Sequence, residues 1–281
     1  MIDAHAHIIA RDHTAFPPVA RRDAQIESIL SLGFDAEKLL DEMASNGVDR
    51  ALLVQRGQIY EHDNSYVCHA AEESSGRLHA VCAIDANSAD SGADARRWHR
   101  QGAIGFRLMA RINDKSFGWL DSASAHTLWQ TATELALPMC VHFFPWNRVE
   151  GLARLERICD RFPVEQIVID HLTNGPITSE QDVGIDDAVR RLADRPDISL
   201  KFTSIPLNGL AEKGIDAGAV LSRYVALFGA ERIMWGSDVT QSAGTYAEMV
   251  QKAREAVSSF SESVQQQLLG TTAARIYRLV A

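Results

Sequence analysis

Arg50-Ala51-Leu52-Leu53-Val54-Gln55 is the stretch that decides the fold. Four apolar residues run unbroken between polar ends, where a strand with one wet face would alternate. Such a run suits a parallel strand covered by helices outside and by other strands' side chains inside. Ile167-Val168-Ile169 reads the same way. Working outward, similar runs fall at residues 2–9, 79–84, 103–108, 138–144, 166–172, 198–205 and 232–238, which with 50–55 makes eight candidate strands.

Helical periodicity fills the gaps. Leu39, Leu40 and Met43 share one face of a stretch beginning near Phe34, and Asn46-Gly47 stops it. Asp121 or Ser122 can cap a helix through Leu128, Trp129 and Leu135, ending before Pro138. Residues 150–162, 185–192, 217–228 and 246–257 behave similarly. Strand and helix alternating eight times predicts an α/β fold of the (β/α)8 barrel kind, a single domain over residues 1–281. The competing doubly wound sheet wants a glycine-rich turn after an early strand, and here Gly33 and Gly47 stand alone. The last helical stretch, 265–279, packs across the outside or closes an end. Two connections are long for a barrel, residues 10–32 and 173–185, and long loops after barrel strands usually serve the site.

The composition is that of a globular protein, 46% hydrophobic and 23% charged. The net charge of −9 comes with no basic stripe, which argues against nucleic acid and anionic membranes as partners. No apolar run approaches the roughly 18 residues of a membrane span, and no signal pattern opens the chain. Cys68, Cys82, Cys140 and Cys159 form no CxxC pair and read as packing residues, so a cytoplasmic location is expected.

In such a barrel the C-terminal strand ends converge on one cavity. The polar residues there are His5 and His7, Arg107, His142, His171, Lys201 with Ser204, and Asp238. Residues two apart on a strand face the same way, so His5 and His7 enter the mouth together. Each histidine alone would more often be a satisfied core residue. Together with a carboxylate they make an N/O ligand set for a divalent metal. Arg107 suits a substrate carboxylate through a bidentate fork, with Lys201, Arg111 and Arg148 as weaker candidates. His13 and Trp146 could line the pocket from loops. Asp3 either orients a ligand histidine or serves the fold.

Asp3-Ala4-His5-Ala6-His7, Val141-His142-Phe143, Ile169-Asp170-His171-Leu172 and Trp235-Gly236-Ser237-Asp238, in that order, resemble the motifs of the amidohydrolase superfamily. The combination is most similar to the amidohydrolase-related branch that holds 2-pyrone-4,6-dicarboxylate and sugar lactonases. The likeness extends to Thr272-Ala273-Ala274-Arg275-Ile276-Tyr277. It implies a hydrolase in which His5, His7, His142 and Asp238 hold one zinc or manganese ion. Asp238 and His171 would be the catalytic pair, with Asp238 a ligand or general base and His171 a ligand or acid/base group. Binuclear members carry a lysine near the end of strand four; Arg107 stands there instead, which argues for one metal or none. Some lactonases of the branch work without metal, and His142 favours the metal-dependent kind.

The expected activity is opening of a small carboxylated lactone, with Arg107 and Lys201 binding the anionic substrate. The rival is non-oxidative decarboxylation of an aromatic or muconate-like acid on the same scaffold. Decarboxylases of the branch usually run longer than 281 residues. Homodimers are common among such barrels, and no residue pattern establishes one.

Overall fold

The computed structural model describes residues 1–20, 23–111 and 114–279. Eight strands follow one another around a barrel: β1 (Ile2–Ala6), β2 (Arg50–Val54), β3 (Leu78–Ala83), β4 (Ala103–Met109), β5 (Met139–His142), β6 (Ile167–Ile169), β7 (Ile198–Thr203) and β8 (Ile233–Gly236). Each pairs in parallel with the next. All eight sit where the apolar runs predict, and the protein is a single (β/α)8 barrel.

The strands end earlier than the apolar pattern does. β1 stops at Ala6, β6 at Ile169 and β8 at Gly236, so His7, His171 and Asp238 stand just beyond the sheet. For β6 and β8 the cause is backbone conformation. His171, Leu172, Thr173 and Asn174 all have positive φ, and so does Asp238 (φ 54). Hydrophobicity does not report such turns, and they cost on the order of 1–3 kcal/mol each for non-glycine residues.

The helices through 39–43, 121–135, 150–162, 185–192, 217–228 and 246–257 form, and the stretch 265–279 folds as short helical pieces. Ala36–Asn46 starts on the Asp35 side chain and ends at Gly47, whose φ of 69 needs no Cβ. Ala123–Leu135 starts on Ser122, and Tyr246–Val257 on a Thr245/Glu248 capping box. Ser65–Glu73, Ser91–Arg100 and Ser204–Lys213 are helices that the sequence pattern did not single out. Among the described residues no helix is long and apolar enough to cross a membrane.

The core has two parts. The larger lies between sheet and helices. The smaller fills the barrel interior with Ile2, Ala4, Leu52, Val54, Val81, Val168 and Met234. Ala273, Ile276, Tyr277 and Leu279 pack onto that interior set, so the C-terminal segment closes an end of the barrel.

β8 meets β1 across a seam that a buried carboxylate holds. Asp3 Oδ1 accepts the backbone N–H groups of His5 (3.0 Å) and Ser237 (2.8 Å), and Oδ2 accepts the Tyr246 hydroxyl (3.1 Å). Asp238 N–H donates to the His5 carbonyl at 2.7 Å. Gly236 allows this approach: a Cβ there would lie 2.8 Å from His5 N and 3.0 Å from its Cα. Asp3 therefore serves the fold and not the histidine rings.

Candidate active site

Two β-bulges turn the polar residues inward. On β1, Asp3 pairs with Ala51 but Ala6 with Leu53, so β1 holds one extra residue. A bulge reverses the alternation of faces beyond it. Ile2 and Ala4 pack inside the barrel, Ala6 packs outside, and His5 and His7 turn to the interior. On β4, Ala80 pairs with Ala103 and Val81 with Gly105. Ile104 consequently packs inside and Phe106 outside, which brings Arg107 into the mouth.

Two carboxylates organise the site. Asp238 Oδ1 lies 3.3 Å from His7 Nε2 and 3.5 Å from His5 Nε2, while the Ser242 hydroxyl donates to Oδ2 at 2.9 Å. The deeper one is Asp170. Arg107 donates to its Oδ2 from Nε (3.3 Å) and a terminal nitrogen (3.1 Å). Its Oδ1 faces Cys140 Sγ at 3.0 Å, His5 Nδ1 at 3.2 Å and Lys201 Nζ at 3.4 Å. All of these groups are buried.

Proton positions follow from the partners. The Val54 carbonyl, 2.6 Å from His7 Nδ1, can only accept, so His7 carries its proton there and Nε2 keeps a lone pair. Asp170 does the same for His5, whose Nε2 is buried with no protein partner. His171 Nδ1 meets Thr203 Oγ1 at 2.6 Å.

Burial pushes His5 well below the usual imidazole range despite the charge of Asp170, and lowers His7 despite the Asp238 carboxylate beside it. His142 and His171 are likewise lowered, first by burial. Four neutral imidazoles result. Burial alone would raise both carboxylates. The His7, His171 and His5 rings gathered around Asp238 pull it below the carboxylate range, and His5, Lys201 and Arg107 hold Asp170 well below it. Burial would likewise lower the Lys201 ammonium, but Asp170 beside it keeps it charged. The Cys140 thiol is pushed up to about 12, mainly by burial, so it donates as a neutral S–H.

The donors fit a metal. His5, His7 and Asp238 place their ligand atoms within 4.8 Å of one another. Tetrahedral zinc with bonds of about 2.0–2.1 Å needs its ligands about 3.3 Å apart, and Asp238 Oδ1 lies 3.3 Å from His7 Nε2 and 3.5 Å from His5 Nε2. His5, Asp170 and His171 form a second such group. It fits less well, because Asp170 already faces Arg107, Lys201 and Cys140.

His142, the fourth expected ligand, joins neither group. It packs edge-on to His171, ring centroids 5.0 Å apart, and its Nδ1 is buried without a partner, 3.9 Å from Asp170 Oδ2. Lys201 is fully buried between Asp170, His5 and Cys140. Arg107 faces Asp170 with one edge but also lines a cavity of about 280 Å³ with Gln55, Gln58, Met109 and Arg111. Arg148 is bonded to Thr173, Asp186 and Gly184 and anchors the loop after β6. His13 is exposed on its loop, and Ser204 is buried with its hydroxyl unpartnered.

Sequence reasoning passed over three groups. Asp170 was legible: Val168 faces inward, so Asp170, two residues on, should too. Cys140 read as packing, because nothing in an apolar strand announces a polar neighbour. Arg56, directly after β2, bonds the Gln241 side chain and the Thr240 carbonyl in the loop after β8. Burial lowers its guanidinium to about 10.

Imidazoles and carboxylates gathered at the C-terminal rim of an eight-stranded parallel barrel define a (β/α)8 enzyme. The chain belongs to the amidohydrolase family, whose model matches residues 2–279. It is 27% identical over 254 residues to the L-fucono-1,5-lactonase of Burkholderia ambifaria, covering 88% of this chain and 83% of the relative. Its fold matches a Pseudomonas putida structure assigned as a 2-pyrone-4,6-dicarboxylic acid hydrolase (TM-score 0.76, 22% identity, 100% and 98% covered). It also matches an amidohydrolase from Burkholderia multivorans with bound zinc (TM-score 0.74, 20% identity, 99% of each chain covered).

Proposed function

We propose that this protein is a lactonase that opens a small carboxylated lactone with the help of one divalent metal. The observation that carries the reading is the spacing of Asp238 Oδ1 from His7 Nε2 and from His5 Nε2, which matches two edges of a zinc tetrahedron. Zinc or manganese would be held by these three groups. Such an ion supplies Lewis acidity, which polarises a carbonyl and lowers the pKa of water. The lactonase named among the relatives and the pyrone hydrolase and zinc-bound fold neighbours support both halves of the proposal.

The chain's own residues supply the proton transfers. Asp238 accepts the proton of the attacking water, with Ser242 fixing its other oxygen. The water oxygen bonds to the lactone carbonyl carbon, and the ring C–O bond breaks. The departing ring oxygen takes the proton that Asp238 accepted, while His171, neutral and held at Nδ1 by Thr203, hydrogen-bonds the lactone carbonyl oxygen. Arg107 binds the substrate carboxylate with the part of its guanidinium that faces the cavity. We assign Lys201 to holding Asp170, and so the His5 ring, and not to touching substrate. Four free cysteines suit a reducing cytoplasm as the place of action.

The test is metal analysis of the purified protein together with lactone and aromatic-acid panels. Ring opening that chelation abolishes and zinc or manganese restores supports the proposal. Activity indifferent to chelator and added metal would remove the metal. Carbon dioxide release without any lactone opened would replace hydrolysis by non-oxidative decarboxylation.

A further inference from the structure

The rim of the barrel mouth is not uniform. Among the described residues four large apolar side chains are exposed, and three of them, Trp146 (49%), Val149 (73%) and Ile205 (37%), lie in the loop and first helical turns that follow β5 and β7. Water-facing apolar groups gathered on one side of a catalytic mouth mark a binding surface. A cavity of about 580 Å³ opens there, lined by Pro145, Val149, Ile177, Ile205 and Pro206. His171, Arg148, Asn174 and Lys213 also line it, the last three already bonded to protein. Its size is that of a small-molecule pocket.

A row of rings joins this lobe to the reactive centre. Trp146 stacks on Phe144 with centroids 5.5 Å apart and planes within 9°. Phe144 meets the His142 ring at 4.7 Å, and His142 meets His171 at 5.0 Å. At the inner end, His142 Nδ1 and Ser204 Oγ are buried with no partner. Outward of those two atoms, the walls formed by Pro145, Val149, Ile205 and Pro206 would strip water from sugar hydroxyls without replacing their hydrogen bonds. An aromatic ring or branched alkyl group loses nothing there.

We propose that this lobe is a subsite for an aromatic or branched-alkyl substituent, so that the substrate is an apolar-substituted carboxylated lactone and not a polyhydroxylated one. The proposal rests on the lactonase reading for its chemistry but not for its binding. The substrate then spans the mouth, its carboxylate toward Arg107 and its apolar arm along Phe144 and Trp146.

Trp146 supplies a direct probe, since Trp98, Trp119, Trp129 and Trp235 are all buried. Chelated protein, which does not turn over, is titrated with a phenyl-substituted carboxylated δ-lactone and with an aldonolactone. The expected result is a saturable change in tryptophan fluorescence with the phenyl compound only, lost in Trp146→Phe. In the metal-loaded enzyme, Trp146→Ala, Val149→Ser and Ile205→Ser should each lower kcat/KM for the phenyl lactone relative to an unsubstituted carboxylated lactone. The expected change in that ratio is roughly 10-fold or more, mainly through KM. These positions are exposed, so the variants should fold. An aldonolactone bound as well as the phenyl compound, or a ratio unmoved in all three variants, overturns the subsite while lactonase activity stands. Binding of the phenyl compound without any lactone opened overturns the lactonase reading and leaves the subsite. A change from dimer to monomer in these variants with no change in the ratio assigns the face to a second copy of the chain and refutes the proposal.

Discussion

Replacing Gly236 by alanine tests the seam and the site together. The new methyl carbon would lie 2.8 Å from His5 N and 3.0 Å from His5 Cα. Ordinary contact begins near 3.4 Å, so His5 must retreat by at least 3.4 − 2.8 = 0.6 Å from the backbone nitrogen alone. The obstacle is backbone on a strand, so no rotamer change relieves it. Overpacking of this kind costs about 1–3 kcal/mol. At roughly 2–4 °C per kcal/mol for a chain of this size, Tm should fall by about 2–12 °C. The larger effect is on geometry. His5 Nε2 moves relative to His7 and Asp238, and displacement of a catalytic group by about 1 Å costs on the order of 100-fold. Gly236→Ala should therefore lose 10- to 100-fold in kcat/KM and bind zinc more weakly, as measured by kinetics and competition with a chromogenic chelator. Gly92→Ala is the control. Its Cβ would lie 2.9 Å from Thr127 and Thr131 on the neighbouring helix, outside the barrel, so it should lose stability without losing metal affinity. Folded Gly236→Ala protein with undiminished metal affinity and kcat/KM would refute the reasoning.

Asp170→Asn leaves Lys201 and Arg107 buried without their counter-ion, which should cost about 3–5 kcal/mol in urea unfolding. Lys201→Met should lower the urea midpoint and kcat while leaving KM within about 3-fold; a large rise in KM alone would restore Lys201 as a substrate group. His142→Ala should retain one metal per chain by elemental analysis, whereas His5→Ala and His7→Ala should not. The pH dependence of stability follows from the four lowered histidines. Each binds its proton less readily in the folded state, so the unfolded chain takes up more protons below about pH 6.5. Their contribution is whole above that pH and declines as pH falls, by up to about 1.4 kcal/mol per pH unit for each histidine still neutral in the folded state. Thermal melts of metal-free protein should show Tm falling between pH 7 and 5; a flat profile would contradict neutral buried imidazoles.

The fold was legible because doubly covered strands such as Ala51-Leu52-Leu53-Val54 must be apolar on both faces, and that condition is written in composition alone. The site was legible only as a set of residues. The two-apart rule correctly paired His5 with His7 but carries no absolute face, and counting inward from Ile2 would have pointed both histidines at the helices. The bulge on β1 reverses that, and bulges leave no hydropathy signal. His171 shows the opposite failure. It is adjacent to Asp170, so a regular strand could not face both inward, and only its left-handed backbone permits it. Lys201 looked like a rim residue because the end of β7 could not be fixed to the residue. Two positions separate a substrate contact from a buried counter-charge.

The seam at Asp3 also has a temporal meaning. The residues it joins are 234 apart in the chain, so its contacts are among the least local the fold contains. Contacts of that separation form late and slow folding. During synthesis the first strand waits, unpaired on one edge, until the eighth leaves the ribosome. His5 and His7 exist from the outset, but Asp238 reaches them only when β8 docks. A nascent or truncated chain lacking β8 therefore holds two imidazoles without their carboxylate. Catalytic competence becomes a sensitive reporter of complete folding, and refolding followed by recovered activity should lag behind refolding followed by helix signal.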